Sequence, residues 1–270
     1  MHVDLPRFPA SRIFRAALAS NLLFAIGCSV APAPNAGAVS VAGNWQLSSA
    51  APAAARLPRL SGALTGSGSA ITGIFHADSA SACVSPSTPI PVTGSVSAHN
   101  AISLTGSLTG SSLPGGVLTV TGTLADDGKS IANASYTVAG GSCAFAADAP
   151  ATAQVFASID GTYTGNFSDS TGVVASLTAQ LTQTPASDTD GNFQLSGTGS
   201  LNNPCFTNPV QVSNSQVTGG SFTLTYADPN TQNSVTASGT FSTSGQTLTV
   251  TNWTLTGPCG PAQGTGLLSQ

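Results

Sequence analysis

Glutamate is absent from the 270 residues, lysine occurs once, and methionine stands only at the first position. Charged side chains make up 6% of the chain, six Lys or Arg against ten Asp, where an average soluble domain carries roughly a quarter. So little charge excludes disorder driven by self-repulsion, and so few bases exclude a nucleic-acid binder. Gly (30) and Pro (17) stay well below the level of a collagen-like or low-complexity chain, and 40% of the residues are apolar. Beyond the first 28 residues no stretch carries a sustained apolar period of 3.6, so helices are not expected. What remains is a globular chain of one or two domains, rich in Ser, Thr, Ala and Gly.

The first 28 residues read as an address. Arg7, Arg12 and Arg15 make a basic beginning, and Ala16 to Ile26 (AALASNLLFAI) is an eleven-residue apolar stretch. That is too short for a membrane-spanning helix, which needs about 20 residues, and it fits the h-region of a secretory signal peptide. The stretch ends in Ala25-Ile26-Gly27-Cys28, which resembles the lipobox of bacterial lipoproteins. The resemblance implies cleavage after Gly27, with residues 1–27 as signal peptide, and Cys28 as the lipid acceptor, acylated on sulfur and on its new amino terminus. Ala25 stands where Leu is usual. Ser29 follows the Cys where members kept in the inner membrane often carry Asp, so the resemblance favours the outer membrane. Parity agrees: five Cys leave one unpaired in an exported chain, and lipidation of Cys28 leaves four. Two or three acyl chains meet the two-signal requirement for stable anchoring. Cleavage removes one Asp and three Arg, taking the net charge from −4 to −6. Residues 28–42 then read as lipidated Cys plus a flexible, uncharged tether.

The rest is one β-unit written twice, residues 43–155 and 156–270. Gly122 to Gly128 matches Gly239 to Gly245 at an offset of 117, and the register continues through Ile131 on Leu248, Tyr136 on Trp253 and Gly140 on Gly257. Gly43-Asn44-Trp45 matches Gly161-Thr162-Tyr163 at 118, and Cys83 matches Cys205 at 122. The break Asp148-Ala149-Pro150 places the boundary near residues 150–160. Period-two alternation, as in Val173-Ala175-Leu177-Ala179-Leu181 and Phe222-Leu224-Tyr226 with Ser, Thr and Gln between, predicts strands with one buried and one wet face. Turn signals divide the second copy into about eight strands, starting near 161, 173, 192, 210, 221, 234, 247 and 263. The expected class is all-β: two tandem antiparallel units of about eight strands, an up-and-down barrel in preference to a sandwich. The opening Gly43-Asn44-Trp45 with an eight-strand meander resembles the small barrels of lipocalins and avidins. There the Trp plugs one end and the interior holds a small apolar ligand.

Pairing Cys83 with Cys143 and Cys205 with Cys259 is the only one of three connectivities that gives each copy the same bridge. Closing loops of 60 and 54 residues, each bridge would contribute about 4 kcal/mol on a chain-entropy argument, in an oxidising compartment.

Chemistry is scarce. His76 and His99 are the only histidines after the leader, too few for a three- or four-ligand metal site once the Cys are paired. No Gly-x-Ser-x-Gly elbow lies between a strand and a helix, and most Asp fall at turns, which disfavours a carboxylate pair for glycoside hydrolysis. Asp188-Thr189-Asp190-Gly191-Asn192 resembles a piece of an acidic calcium loop without its closing Glu, and a hairpin turn is the better reading. Thr ladders such as Thr247, Thr249 and Thr251 suit strands with a wet face. The thirteen aromatics after the leader supply no girdles for a membrane barrel. The expectation is therefore a non-enzyme without cofactor or metal, anchored to the membrane and facing cell-wall or extracellular polymers in a structural or adhesive role. The alternative is a carrier of a small apolar ligand, for which Trp45, Tyr136, Tyr163 and Trp253 are the candidate contacts.

Overall fold

The computed structural model describes residues 39–50, 57–81, 84–110, 113–141, 145–207 and 209–270. Residues 1–38, with Cys28, and Cys83 and Cys143 lie outside the described residues. In the first copy the strands are β1 (Gly43–Ser49), β2 (Leu60–Ser67), β3 (Ala70–Ala77), β4 (Ile90–Val96), β5 (Ala101–Gly110), β6 (Leu113–Leu124), β7 (Ser130–Ala139) and β8 (Phe145–Phe156). In the second they are β9 (Gly161–Asp169), β10 (Gly172–Gln183), β11 (Phe193–Asn202), β12 (Val210–Thr218), β13 (Ser221–Ala227), β14 (Ser234–Phe241), β15 (Thr247–Thr256) and β16 (Ala262–Ser269). The eight starts expected in the second copy fall within one residue of those observed.

Within each copy every strand pairs antiparallel with its neighbours in sequence, and β1 with β8 and β9 with β16 close two separate barrels. A sandwich would leave those edges open. Instead Asn44–Ser49 lies along Ala151–Phe156, and Thr164–Ser168 along Thr265–Ser269, which removes the exposed edges that a chain so poor in lysine is badly equipped to protect. Alternation decides what goes inside. Strand β10 buries Ala175, Leu177, Ala179 and Leu181 while Ser176, Thr178, Gln180 and Thr182 face solvent. Each large apolar side chain so buried contributes about 1.5–3 kcal/mol, and the outward Ser and Thr keep strand propensity without apolar exposure. Apolar inside and hydroxylated outside is the inverse of a lipid-facing barrel.

The two copies share an irregularity as well as a pattern. The β6–β7 ladder slips between Thr121 and Thr123, and the β14–β15 ladder between Ser238 and Gly239. At the slip in each copy sits a glycine approached by the partner strand. A Cβ on Gly239 would lie 1.9 Å from the Thr249 carbonyl oxygen, and one on Gly122 would lie 2.9 Å from the Ala132 oxygen and 2.4 Å from an Ile131 methyl. Ala132 and Thr249 are related by the same offset of 117, so the bulge and its close approach are duplicated with the sequence. Asp148-Ala149-Pro150 does not interrupt the first copy. Strand β8 runs through it, with Pro150 opposite Ser135 beside a slip in the β7–β8 register, a place where a strand tolerates a missing N–H. Residues 157–160 then lead to β9.

The barrels touch through β1 and β2 on one side and β12 with the Gly219-Gly220 turn on the other. Asn44 points out of the first barrel, yet it is only 2% exposed. Its Nδ2 donates to the Gly219 carbonyl (2.8 Å), and the Gly219 N–H donates to its Oδ1 (2.5 Å). Beside it the Gly220 N–H donates to Gln46 Oε1 (3.1 Å). Ala63, outward on β2, packs into the core of the second barrel, and Phe156 meets Phe241 edge-on at 5.3 Å between ring centroids.

Candidate functional site

The four aromatics singled out by the repeat all lie in the barrel cores. Trp45 and Tyr163 take the third position of β1 and β9, and Tyr136 and Trp253 the seventh of β7 and β15; none is more than 3% exposed. Trp45 Nε1 donates to the Val41 carbonyl at 2.7 Å. Tyr163 donates its hydroxyl to the Gly245 carbonyl at 2.5 Å and accepts from Gln270 Nε2 at 2.9 Å. Burial pushes the Tyr163 phenol upward in pKa, against the Gln270 hydrogen bond and with the Asp160 charge. Trp253 shares its N–H between the Ser168 and Thr265 carbonyls, at 3.2 and 3.1 Å, and its ring packs on Phe167. Indole and phenol groups bonded to backbone in this way close and fill a core.

The hollows found among the described residues of the two cores are small. Beside Trp45, Leu104 and Gly106 the first barrel has a hollow of about 20 Å³, room for one water. In the second barrel Tyr226 stands at the position of Gly106, the sixth residue of β13 as Gly106 is of β5. Its hydroxyl is buried with no hydrogen-bond partner among the described residues, and burial raises its pKa. An unpaired buried hydroxyl costs about 1–3 kcal/mol, so Tyr226→Phe should stabilise the second barrel by about 1 kcal/mol in chemical denaturation. A loss of that size would instead reveal a bound water or other partner. Near Trp253, Phe167, Phe206 and Asn203 a second hollow, at the far end of this barrel, measures about 90 Å³.

That far end is braced covalently and by hydrogen bonds. Cys205 and Cys259 form a disulfide between the β11–β12 and β15–β16 connections. Asn233, 3% exposed, ties both halves, its Nδ2 donating to the Cys205 carbonyl (2.6 Å) and its Oδ1 accepting from Cys259 N–H (3.1 Å). Cys83 and Cys143 fall in the equivalent connections of the first copy by sequence, outside the described residues. Asp228 anchors the neighbouring loop and accepts from the N–H groups of Thr207 (2.5 Å) and Asn230 (2.8 Å) and from the hydroxyls of Thr207 and Thr231. Desolvation alone would raise this carboxyl; the hydrogen bonds outweigh it and hold the group well below the usual carboxylate range. A depressed folded pKa stabilises the fold above the unfolded value of about 3.9, and that contribution is lost as pH falls through the folded pKa. The melting temperature of the wild type should therefore drop more steeply below about pH 4 than that of Asp228→Asn. Parallel profiles would contradict this role.

A third hollow, about 310 Å³, is a cleft between the barrels lined mainly by polar residues. Ser61 on β2 and His76 on β3 are register neighbours on the outer face of the first barrel, and Asp78 follows, held by Arg59 at 3.0 Å. Asp190 and Asn192, from the β10–β11 connection, and Gln216 on β12 form the opposite wall. The acidic segment is a turn: Asp188 Oδ1 accepts from the N–H groups of Asp190 and Asn192, both at 2.9 Å. Thr218 donates its hydroxyl to Asn192 Oδ1. His99 lies in the β4–β5 turn, at the other end of the first barrel from His76. Among the described residues no three His, Cys, Asp or Glu come together as a metal site. His76 and Asp190 are visible in the sequence as isolated residues, and nothing in their spacing joins them; the docking of two copies does.

The fold and its cores define a tandem pair of closed, eight-strand antiparallel barrels. No protein-family model, curated protein or solved structure matches the chain.

Proposed function

We propose that the chain is a non-catalytic lipoprotein of the bacterial envelope. It is exported behind residues 1–27, anchored through Cys28 with the outer membrane as the favoured destination, and its doubled barrel faces cell-wall or external polymers in a structural or adhesive role. The observation that carries this reading is the division of surfaces: closed barrels with filled interiors, and an outer face of Ser, Thr, Asn and Gln. Ligand sites typically occupy ~300–1,000 Å³, whereas the barrel hollows measure about 20 and 90 Å³. A carrier of an apolar ligand is the second reading, and the hollow beside Trp253 is what favours it. The anchor is tested by metabolic acyl labelling of the chain and of Cys28→Ala. Label and membrane association should both disappear in the variant, and a labelled, membrane-bound variant would overturn the anchor.

A further inference from the structure

We infer that the cleft between the barrels binds a neutral, hydroxyl-rich ligand, the end or a short stretch of a saccharide chain. This rests on the polymer-facing reading and gives it a site. At about 310 Å³ the cleft alone among the hollows described above has the size of a small-molecule site.

Its chemistry selects the class. Asp78 is already paired with Arg59, so Asp190 leaves the cleft with a net negative charge and repels anions. Ala77 and Pro86, with the carbon atoms of the polar side chains, give the cleft an apolar share beside its polar groups, a mixture that suits the C–H faces and hydroxyls of a sugar ring. Carboxylate, amide and hydroxyl groups from both walls can donate to and accept from neighbouring hydroxyls, as a polyol requires.

His76 adds a specific demand. Its Nδ1 lies 3.1 Å from the Pro86 carbonyl oxygen. A carbonyl only accepts, so Nδ1 carries the proton, and Nε2 of the neutral ring is a lone-pair acceptor. Nε2 is buried and has no partner among the described residues, and His76 is one of the residues that line the cleft. A ligand O–H supplies the missing donor after a small shift of the ring. On the other wall the Asn192 side chain is spent on its neighbours, its oxygen accepting from Thr218 and its NH₂ donating to the Asp188 carboxylate, so Asp190 and Gln216, both exposed, are the groups this wall offers to a ligand hydroxyl.

The test is NMR on the exported chain labelled with ¹⁵N-histidine, titrated with cellobiose, N,N′-diacetylchitobiose and maltose, and separately with galacturonate, putrescine and Ca²⁺. The His76 Nε2 resonance should move with at least one neutral disaccharide. Asp190 and Gln216 are exposed, so the double variant Asp190→Ala/Gln216→Ala should keep the wild-type melting temperature and weaken that response roughly tenfold or more. A response to putrescine or Ca²⁺ alone, or neutral binding unchanged in the double variant, overturns the inference. Retention on cellulose, chitin and peptidoglycan sacculi separates this site from the broader reading. Wild type and double variant retained equally would sink the cleft and leave polymer binding standing. Retention of neither, with His76 still responding to a disaccharide, would sink polymer binding and leave the cleft.

Discussion

Gly239→Val should destroy the second barrel while leaving the first folded. The Cβ would stand 1.9 Å from the Thr249 carbonyl oxygen, a backbone atom that no rotamer change can move. The β14–β15 ladder must therefore separate at its bulge, and the barrel opens between two of its eight strands. The expected loss exceeds about 3 kcal/mol, a large share of the roughly 5–15 kcal/mol that a domain of this kind possesses. Thr240→Val, one residue along on the exposed face, should stay within about 0.5 kcal/mol. The chain's two tryptophans fall one to each barrel, so a Trp45→Phe background makes Trp253 the sole reporter of the second. In that background Gly239→Val should red-shift the native emission, and an unshifted, cooperatively melting protein would contradict the close approach.

Trp45→Ala should cost about 3–5 kcal/mol, felt in the first barrel. The side chain is 1% exposed, and its N–H is spent on the Val41 carbonyl. Truncation leaves an indole-sized void that joins the small hollow by Gly106, and the Val41 carbonyl loses its donor. Denaturation of a chain with Trp253 still present should keep the second barrel's transition in place and move the first to lower denaturant. If Trp45 instead formed a ligand contact with little part in packing, the loss would fall below about 1 kcal/mol, and that result would contradict its place in the core.

How much of this was legible in the sequence depends on the range of the interaction. The strands of the second copy are local: alternation such as Leu177-Ala179-Leu181 and turns such as Asp228-Pro229-Asn230 place them within a residue. The Cys205–Cys259 bridge is long-range, yet the repeat made it readable, because one pairing alone treats both copies alike. Closure of the barrels has no such mark. Whether Asn44–Ser49 meets Ala151–Phe156 depends on coiling and shear summed over eight strands, and alternation is the same in an open sheet. The filling of the interiors was equally hidden. Gly106 and Tyr226 hold one position in the two copies, and only the packed barrel shows that each suits its neighbours. Asp148-Ala149-Pro150 marks the boundary only approximately, because a register slip accommodates the proline within β8 and the connection between the copies follows at residues 157–160. The cleft is the most distant from sequence, since it exists only where Asn44 and Gln46 of one copy lock onto Gly219-Gly220 of the other.

A doubled barrel that works through its outer surface, as proposed, carries no cargo inside. Native mass spectrometry of the protein purified from its host envelope tests it most directly. The expected mass is that of the acylated chain from Cys28 onward, with both disulfides formed and nothing added. A reproducible extra mass of a small molecule, one or two per chain and retained on gentle activation, would contradict it and make the barrels carriers.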